Sequence, residues 1–231
     1  MSSSANVAAI FDLDGTLLSG HVWSAVAQYQ KTRRVNRRWL YVYVGAHMPL
    51  WYLFKLRLIR AEQMRALWTQ DMSWVLRGFD DSQAATMFQW IADEYVVPLL
   101  RPDVVQRLQE HQGKGHRAIL LSGAFEGLLV VIGQRLGVTE VLGTRLVQRN
   151  GRYVGRALPP ICQGKGKAQR LRAYLETPGR EIDLAASYVY ADSLTDLPLL
   201  EAVGHAVAVY PEEELAAVAR QRAWPVLGTT P

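Results

Sequence analysis

Two carboxylates separated by one residue, Asp12 and Asp14, close the apolar run 7–11 against Gly15 and Thr16. Such a run reads as a buried parallel strand, and in open α/β sheets the ligand crevice lies beyond the carboxyl ends of the strands. At that end Asp12 can act as a nucleophile, and Asp14, one peptide further round the turn, as proton donor and acceptor. A strand followed by an ordinary Asp-Gly turn is the competing reading.

Three later stretches repeat the pattern. The run 117–121 ends in Ser122-Gly123, and the run 187–191 ends in Asp192-Ser193 with Asp196 four residues further on. Between them, Lys167 stands in Gly164-Lys165-Gly166-Lys167-Ala168, just ahead of the helical spacing Leu171, Tyr174, Leu175. A lysine near a helix start adds to a place that already favours anions. Singly, each residue has a plainer role. Ser122 can bond its own backbone, Lys167 and its competitor Lys165 can be solvated, and Asp192 or Ser193 can cap a helix. Together, on neighbouring strand ends, one cation, one hydroxyl and several carboxylates have the composition of a phosphoryl-transfer site.

In these motifs the chain resembles the haloacid dehalogenase superfamily, in its phosphoserine-phosphatase-like branch. The likeness runs from Val7 to about Leu227 and takes in Asp12-Leu13-Asp14-Gly15-Thr16, Ser122-Gly123, Lys167, and Asp192 with Asp196. It implies an α/β fold with a Rossmann-like parallel core and an inserted helical cap, and a phosphatase that hydrolyses a phosphate monoester through an aspartyl phosphate on Asp12. It also implies Mg²⁺, held by the Asp12 side chain, the Asp14 backbone carbonyl and Asp192, with Asp196 holding a metal-bound water or Lys167. Thr16, Ser122, Gly123 and Lys167 would bind the phosphate, and Thr16 would also orient Asp14. A phosphotransferase with an alcohol as acceptor and a non-catalytic binding module are the alternatives.

More than a hundred residues separate Asp14 from Ser122, far more than a crossover helix needs. The expected division is a catalytic core of 1–18 and 99–231 with a helical cap of 19–98, supported by the apolar spacings Val22, Val26, Tyr29 and Met87, Trp90, Ile91. A helix is predicted over 125–136, ending at Gly137. Asn150-Gly151 predicts a hairpin over 141–154, with a last strand at 207–210 and a closing helix at 212–222.

The cap should set the substrate. Phosphoserine phosphatases place a glutamate nine residues after the nucleophile to receive an ammonium group; this chain has His21 there. That disfavours phosphoserine and leaves His21 either to meet the leaving group or to cap a helix. Within the same segment, residues 39–54 carry no formal charge and are interrupted by Gly45, His47 and Pro49. Lys31, Arg33, Arg34, Arg37 and Arg38 precede the run, and Lys55, Arg57, Arg60 and Arg65 follow it. It is shorter than the roughly 20 apolar residues of a spanning helix, and Pro49 predicts a break. Two readings stand: a helix pair buried against itself and the core, or a surface that meets anionic lipid. The substrate is accordingly a small metabolite phosphate or a lipid or lysolipid phosphate.

Composition sets the outer bounds. The 231 residues are 49% hydrophobic and 20% charged, as in a globular protein with one core and a modest insertion. Cys162 is the only cysteine, so no intrachain disulfide forms. The net charge of +5 would suit nucleic acid, but no recognition motif accompanies it. The leader 1–6 lacks a basic region, which predicts a cytoplasmic protein, with peripheral contact at the inner membrane surface as the second option.

Overall fold

The computed structural model describes residues 6–228, so the leader residues 1–5 lie outside the described residues. Six strands form one parallel sheet in the order β3-β2-β1-β6-β7-β8. They are β1 (Ala8–Phe11), β2 (Arg117–Phe125), β3 (Glu140–Thr144), β6 (Tyr188–Ala191), β7 (His205–Val209) and β8 (Val226–Leu227). Both faces of the sheet are covered, which is why its strands read as unbroken apolar runs. Ala9 and Phe11 of β1 face α5 (Pro102–Gly113) and α6 (Glu126–Leu136), whereas Ala8 and Ile10 face α7 (Lys165–Leu175), α8 (Leu197–Leu200) and α9 (Glu213–Gln221). Phe11 stacks on Tyr190 of the next strand at 4.4 Å between ring centroids.

The hairpin differs from expectation. Its strands are β4 (Leu146–Arg149) and β5 (Arg152–Ala157), turning at Asn150 and Gly151 with positive φ. Val141 and Leu142 instead pair with Leu120 and Leu121 in the main sheet, because a parallel partner was open to them at its edge. The strand expected to be last is followed by β8, which pairs with Ala208 and Val209.

Between β1 and β2 the chain forms α1 (Val22–Thr32), α2 (Arg37–Lys55), α3 (Ala61–Asp71) and α4 (Asp81–Ile91). It leaves and re-enters the core along one short ladder: Ser19 N–H donates to the Leu99 carbonyl and Arg101 N–H to that of Leu17. A second tie comes from the hairpin, where Gly78 N–H donates to the Tyr153 carbonyl at 2.8 Å and Tyr153 N–H to that of Phe79 at 2.9 Å. Val22, Val26, Met87 and Ile91 join the same apolar cluster as Phe11, so the helices rest directly on the core.

Pro49 does not break α2, which runs for 19 residues through it. The proline removes the hydrogen bond to the carbonyl four residues earlier, at Gly45, and both residues are on the exposed side of the helix, where a missing internal bond costs least. Leu40, Tyr43 and His47 form the buried stripe. His47 binds Asp71 of α3 at 3.3 Å and Tyr43 donates to the Trp68 carbonyl at 3.0 Å, joining the two helices. The reading of the 39–54 run as buried against itself and the core holds for this stripe alone. Tyr41, Val42, Val44, Met48, Tyr52, Leu53 and Phe54 are exposed.

Candidate active site

Register brings the chemistry together. Phe11 pairs with both Leu120 and Tyr190, so Asp12, Ser122 and Asp192 emerge within about one residue of the same level at the carboxyl edge of three adjacent strands. Lys167 was expected just ahead of its helix; it lies in the first turn of α7, which begins at Lys165. That turn is pressed against the preceding loop: a Cβ on Gly166 would lie 1.8 Å from the Ile161 carbonyl oxygen. The close approach aims Lys167 inward, and Lys165 is exposed.

Lys167 is 3% exposed and its ammonium bridges two carboxylates, Asp12 Oδ1 at 2.8 Å and Asp196 Oδ2 at 2.7 Å. Burial alone would lower its pKa, but the two carboxylates outweigh burial and hold it protonated. Oxygens of Asp12, Asp192 and Asp196 lie within 4.8 Å of one another. Burial, reinforced by Asp196 and Asp192, raises Asp12 well above the usual carboxylate range, and burial pushes Asp192 up to about 6. Asp196 Oδ1 is buried with no hydrogen-bond partner. Three carboxylates against one ammonium, with an oxygen left unsatisfied, fit a hard cation that takes oxygen ligands.

Asp14 lines the same cavity and accepts a hydrogen bond at 2.8 Å from Val22 N–H, the first helical residue of α1. Burial raises its pKa. Asp14 therefore does the capping for which His21 was one candidate: His21 sits at the N-cap position but makes no side-chain cap bond. It stands exposed at the cavity wall instead. Thr16 does not orient Asp14. Its buried hydroxyl donates to Asp192 Oδ1 at 3.3 Å, and Thr16 is not among the residues that line the cavity. Gly15 has φ +80°, and a Cβ there would lie 2.0 Å from Asp192 Oδ2.

Ser122 is buried, with its Oγ accepting from Ala124 N–H at 3.2 Å. Thr144 Oγ1 donates to the Gly123 carbonyl at 2.8 Å, fixing the bend that presents both residues to the cavity. The cavity has a volume of about 390 Å³. Its far wall was not foreseen: Trp23 of α1, Tyr43 of α2 and Trp68 of α3 come from three helices. Gln163 and Glu212 were also missed, and Glu212 is anchored by its N–H to the Asp192 carbonyl at 2.9 Å.

Comparison with known proteins agrees with this geometry. Residues 9–201 match the model of the haloacid dehalogenase-like hydrolases. A Mycobacterium tuberculosis protein named a probable phosphatase is 31% identical over 224 residues, covering 96% of this chain and 75% of that one. A histidinol-phosphatase of Neisseria meningitidis serogroup C is 28% identical over 230 residues, covering 95% and 97%. Among solved structures, a Bordetella pertussis protein of unknown function superposes with a TM-score of 0.79 at 25% identity, covering 97% and 99%. An apo phosphoserine phosphatase shares the fold, with a TM-score of 0.62 at 14% identity, covering 96% and 93%. The chain belongs to the haloacid dehalogenase-like hydrolase family, and within it is a phosphatase.

Proposed function

We propose that the protein hydrolyses the phosphate monoester of a small metabolite in two displacements. Asp12 attacks phosphorus and becomes an aspartyl phosphate, which splits one difficult step into two easier ones. Asp14, its pKa raised by burial, delivers a proton to the departing alkoxide and takes one from the water that cleaves the acyl phosphate. Lys167 and Ser122 bind the non-bridging oxygens, where charge develops. Mg²⁺ fits the donor set: the Asp12 and Asp192 carboxylates and the Asp14 carbonyl would hold it. When bound, it would lessen the repulsion between carboxylate and phosphate dianion. Thr16 holds Asp192 in place, and Asp196 holds Lys167.

The observation that carries this reading is the convergence of Asp12, Asp192 and Asp196 on the buried Lys167 at the carboxyl edge of the sheet. The helices close the cavity as a cap, Trp23, Tyr43 and Trp68 offer the leaving group flat apolar surface, and His21 stands where phosphoserine phosphatases have their glutamate. That favours an organic leaving group with a ring over phosphoserine, and histidinol phosphate is the first compound to try. Phosphate release should be measured over amino-acid, sugar, nucleotide, histidinol and lysolipid phosphates, with and without chelator. Turnover of histidinol phosphate above phosphoserine, lost with EDTA and restored by Mg²⁺, is the expected result. Full activity in excess chelator would remove the metal from this reading.

A further inference from the structure

The arm formed by residues 31–60 has two properties that belong together. It contains eight basic residues, Lys31, Arg33, Arg34, Arg37, Arg38, Lys55, Arg57 and Arg60, and no acidic one. The whole chain has 26 basic and 21 acidic residues, so the remainder holds 18 and 21 and is net acidic. The positive charge of this protein is thus the charge of one arm. On the same arm the outward face of α2 is apolar: Tyr41, Val44, Met48 and Tyr52 are exposed, and Leu56 and Leu58 beyond its end are each 68% exposed.

A helix that is apolar on its outward face as well as its packed one is uncovered in water at a cost proportional to that area. We propose that this arm docks on the surface of an anionic lipid bilayer, with α2 lying in the interface. The charge pattern selects this occupant. Basic groups at both ends of an apolar, aromatic helix match anionic headgroups beside an acyl boundary. A second copy docking by a two-fold would set eight basic residues against eight. Nucleic acid would answer the basic residues but leave Val44, Met48, Leu56 and Leu58 uncovered. No helix among the described residues is long and apolar enough to cross a membrane, so α2 lies on the bilayer and does not span it. The opposite side of the same helix pair supplies Tyr43 and Trp68 to the cavity, so docking would bring the cap close to the lipid.

The test uses the full chain with vesicles of phosphatidylcholine alone and with roughly a third phosphatidylglycerol, in co-sedimentation at low and high salt. The protein should sediment with the anionic vesicles at low salt and less at high salt, and Trp51, half-exposed on α2, should blue-shift in emission. Each basic residue near such a surface is worth about fivefold in partitioning, so replacing Arg33, Arg34, Lys55 and Arg57 with glutamine should lower binding by nearly three orders of magnitude, about 600-fold. Replacing Tyr52, Leu56 and Leu58 with serine should also lower it. Both variants should retain far-UV circular dichroism and hydrolysis of a soluble ester, since none of these residues touches the cavity. The proposal is overturned if the wild type stays in the supernatant with anionic vesicles at low salt, or binds neutral vesicles equally well. It is likewise overturned by a concentration-dependent dimer, or a complex with duplex DNA, that depends on these residues while vesicle binding is absent. Neither result bears on whether Asp12 is a nucleophile.

Discussion

Replacing Gly15 with alanine tests the site through a residue with no functional group. Two costs follow from its geometry. At φ +80° a side chain adds about 1–2 kcal/mol of backbone strain. The new Cβ would lie 2.0 Å from Asp192 Oδ2 and 2.6 Å from its Cγ, where an ordinary contact is about 3.5 Å, so the carboxylate must retreat by more than about 1 Å. That shift breaks its bond from Thr16 and removes it from Asp12. Misplacement on this scale costs about a hundredfold in rate, or about 2.7 kcal/mol of transition-state stabilisation. Turnover of a soluble ester should therefore fall about a hundredfold and require more Mg²⁺, while Tm drops by about 2–8 °C. In an Asp192→Ala background the same substitution should destabilise less, because the collision is gone. A Gly15→Ala enzyme with the expected loss of Tm but turnover within about threefold of wild type, at unchanged Mg²⁺ requirement, would refute a role for the position of Asp192.

Other expectations follow from single groups. Asp12→Asn keeps the shape and removes the attacking charge, so turnover should fall to background with the fold intact by circular dichroism; Asp14→Asn should be nearly as damaging in the same assay. Lys167→Met leaves Asp12 and Asp196 buried without their shared partner, and denaturant unfolding should show a loss of about 3–5 kcal/mol, partly recovered by adding Asp196→Asn. His111 bonds to Tyr190 and His116, and burial, with His116 and Lys114 adding, lowers its pKa to about 4. Its folded pKa is below the unfolded value of about 6.5, so its contribution is complete above that pH and is lost as pH falls toward 4. After allowing for solvent screening, about 1 kcal/mol should disappear between pH 7 and 5, and His111→Asn should flatten that slope in urea titrations.

The carboxyl edge of the sheet was legible because each contributing strand is apolar up to the polar residue that lines the cavity: Phe11 then Asp12, Leu121 then Ser122, Ala191 then Asp192. The cavity's far wall was not, because Trp23, Tyr43 and Trp68 lie on three helices whose mutual packing has no period in the sequence. Hydropathy could not say which side of α2 is covered, since both sides are apolar, nor that Gly45 and Pro49 stand on its exposed side, where a proline is tolerated. Thr16 is near Asp14 in sequence, whereas its hydroxyl's partner, Asp192, lies 176 residues away across the β1–β6 junction.

The hairpin's grip on the segment before α4 bears on how such enzymes can be rebuilt. By position in the chain, β4 and β5 belong to the catalytic portion; by packing, Tyr153 belongs to the insert through its bonds to Gly78 and Phe79. A graft that exchanged only residues 19–98 for those of a relative would put that contact at risk, since Gly78 and Phe79 would be replaced while Tyr153 stayed. Chimeras meant to transfer specificity should carry residues 146–157 with the helices. The same attachment restricts movement, since lifting the helices straight off would break the bonds at Leu17, Leu99 and Tyr153 together.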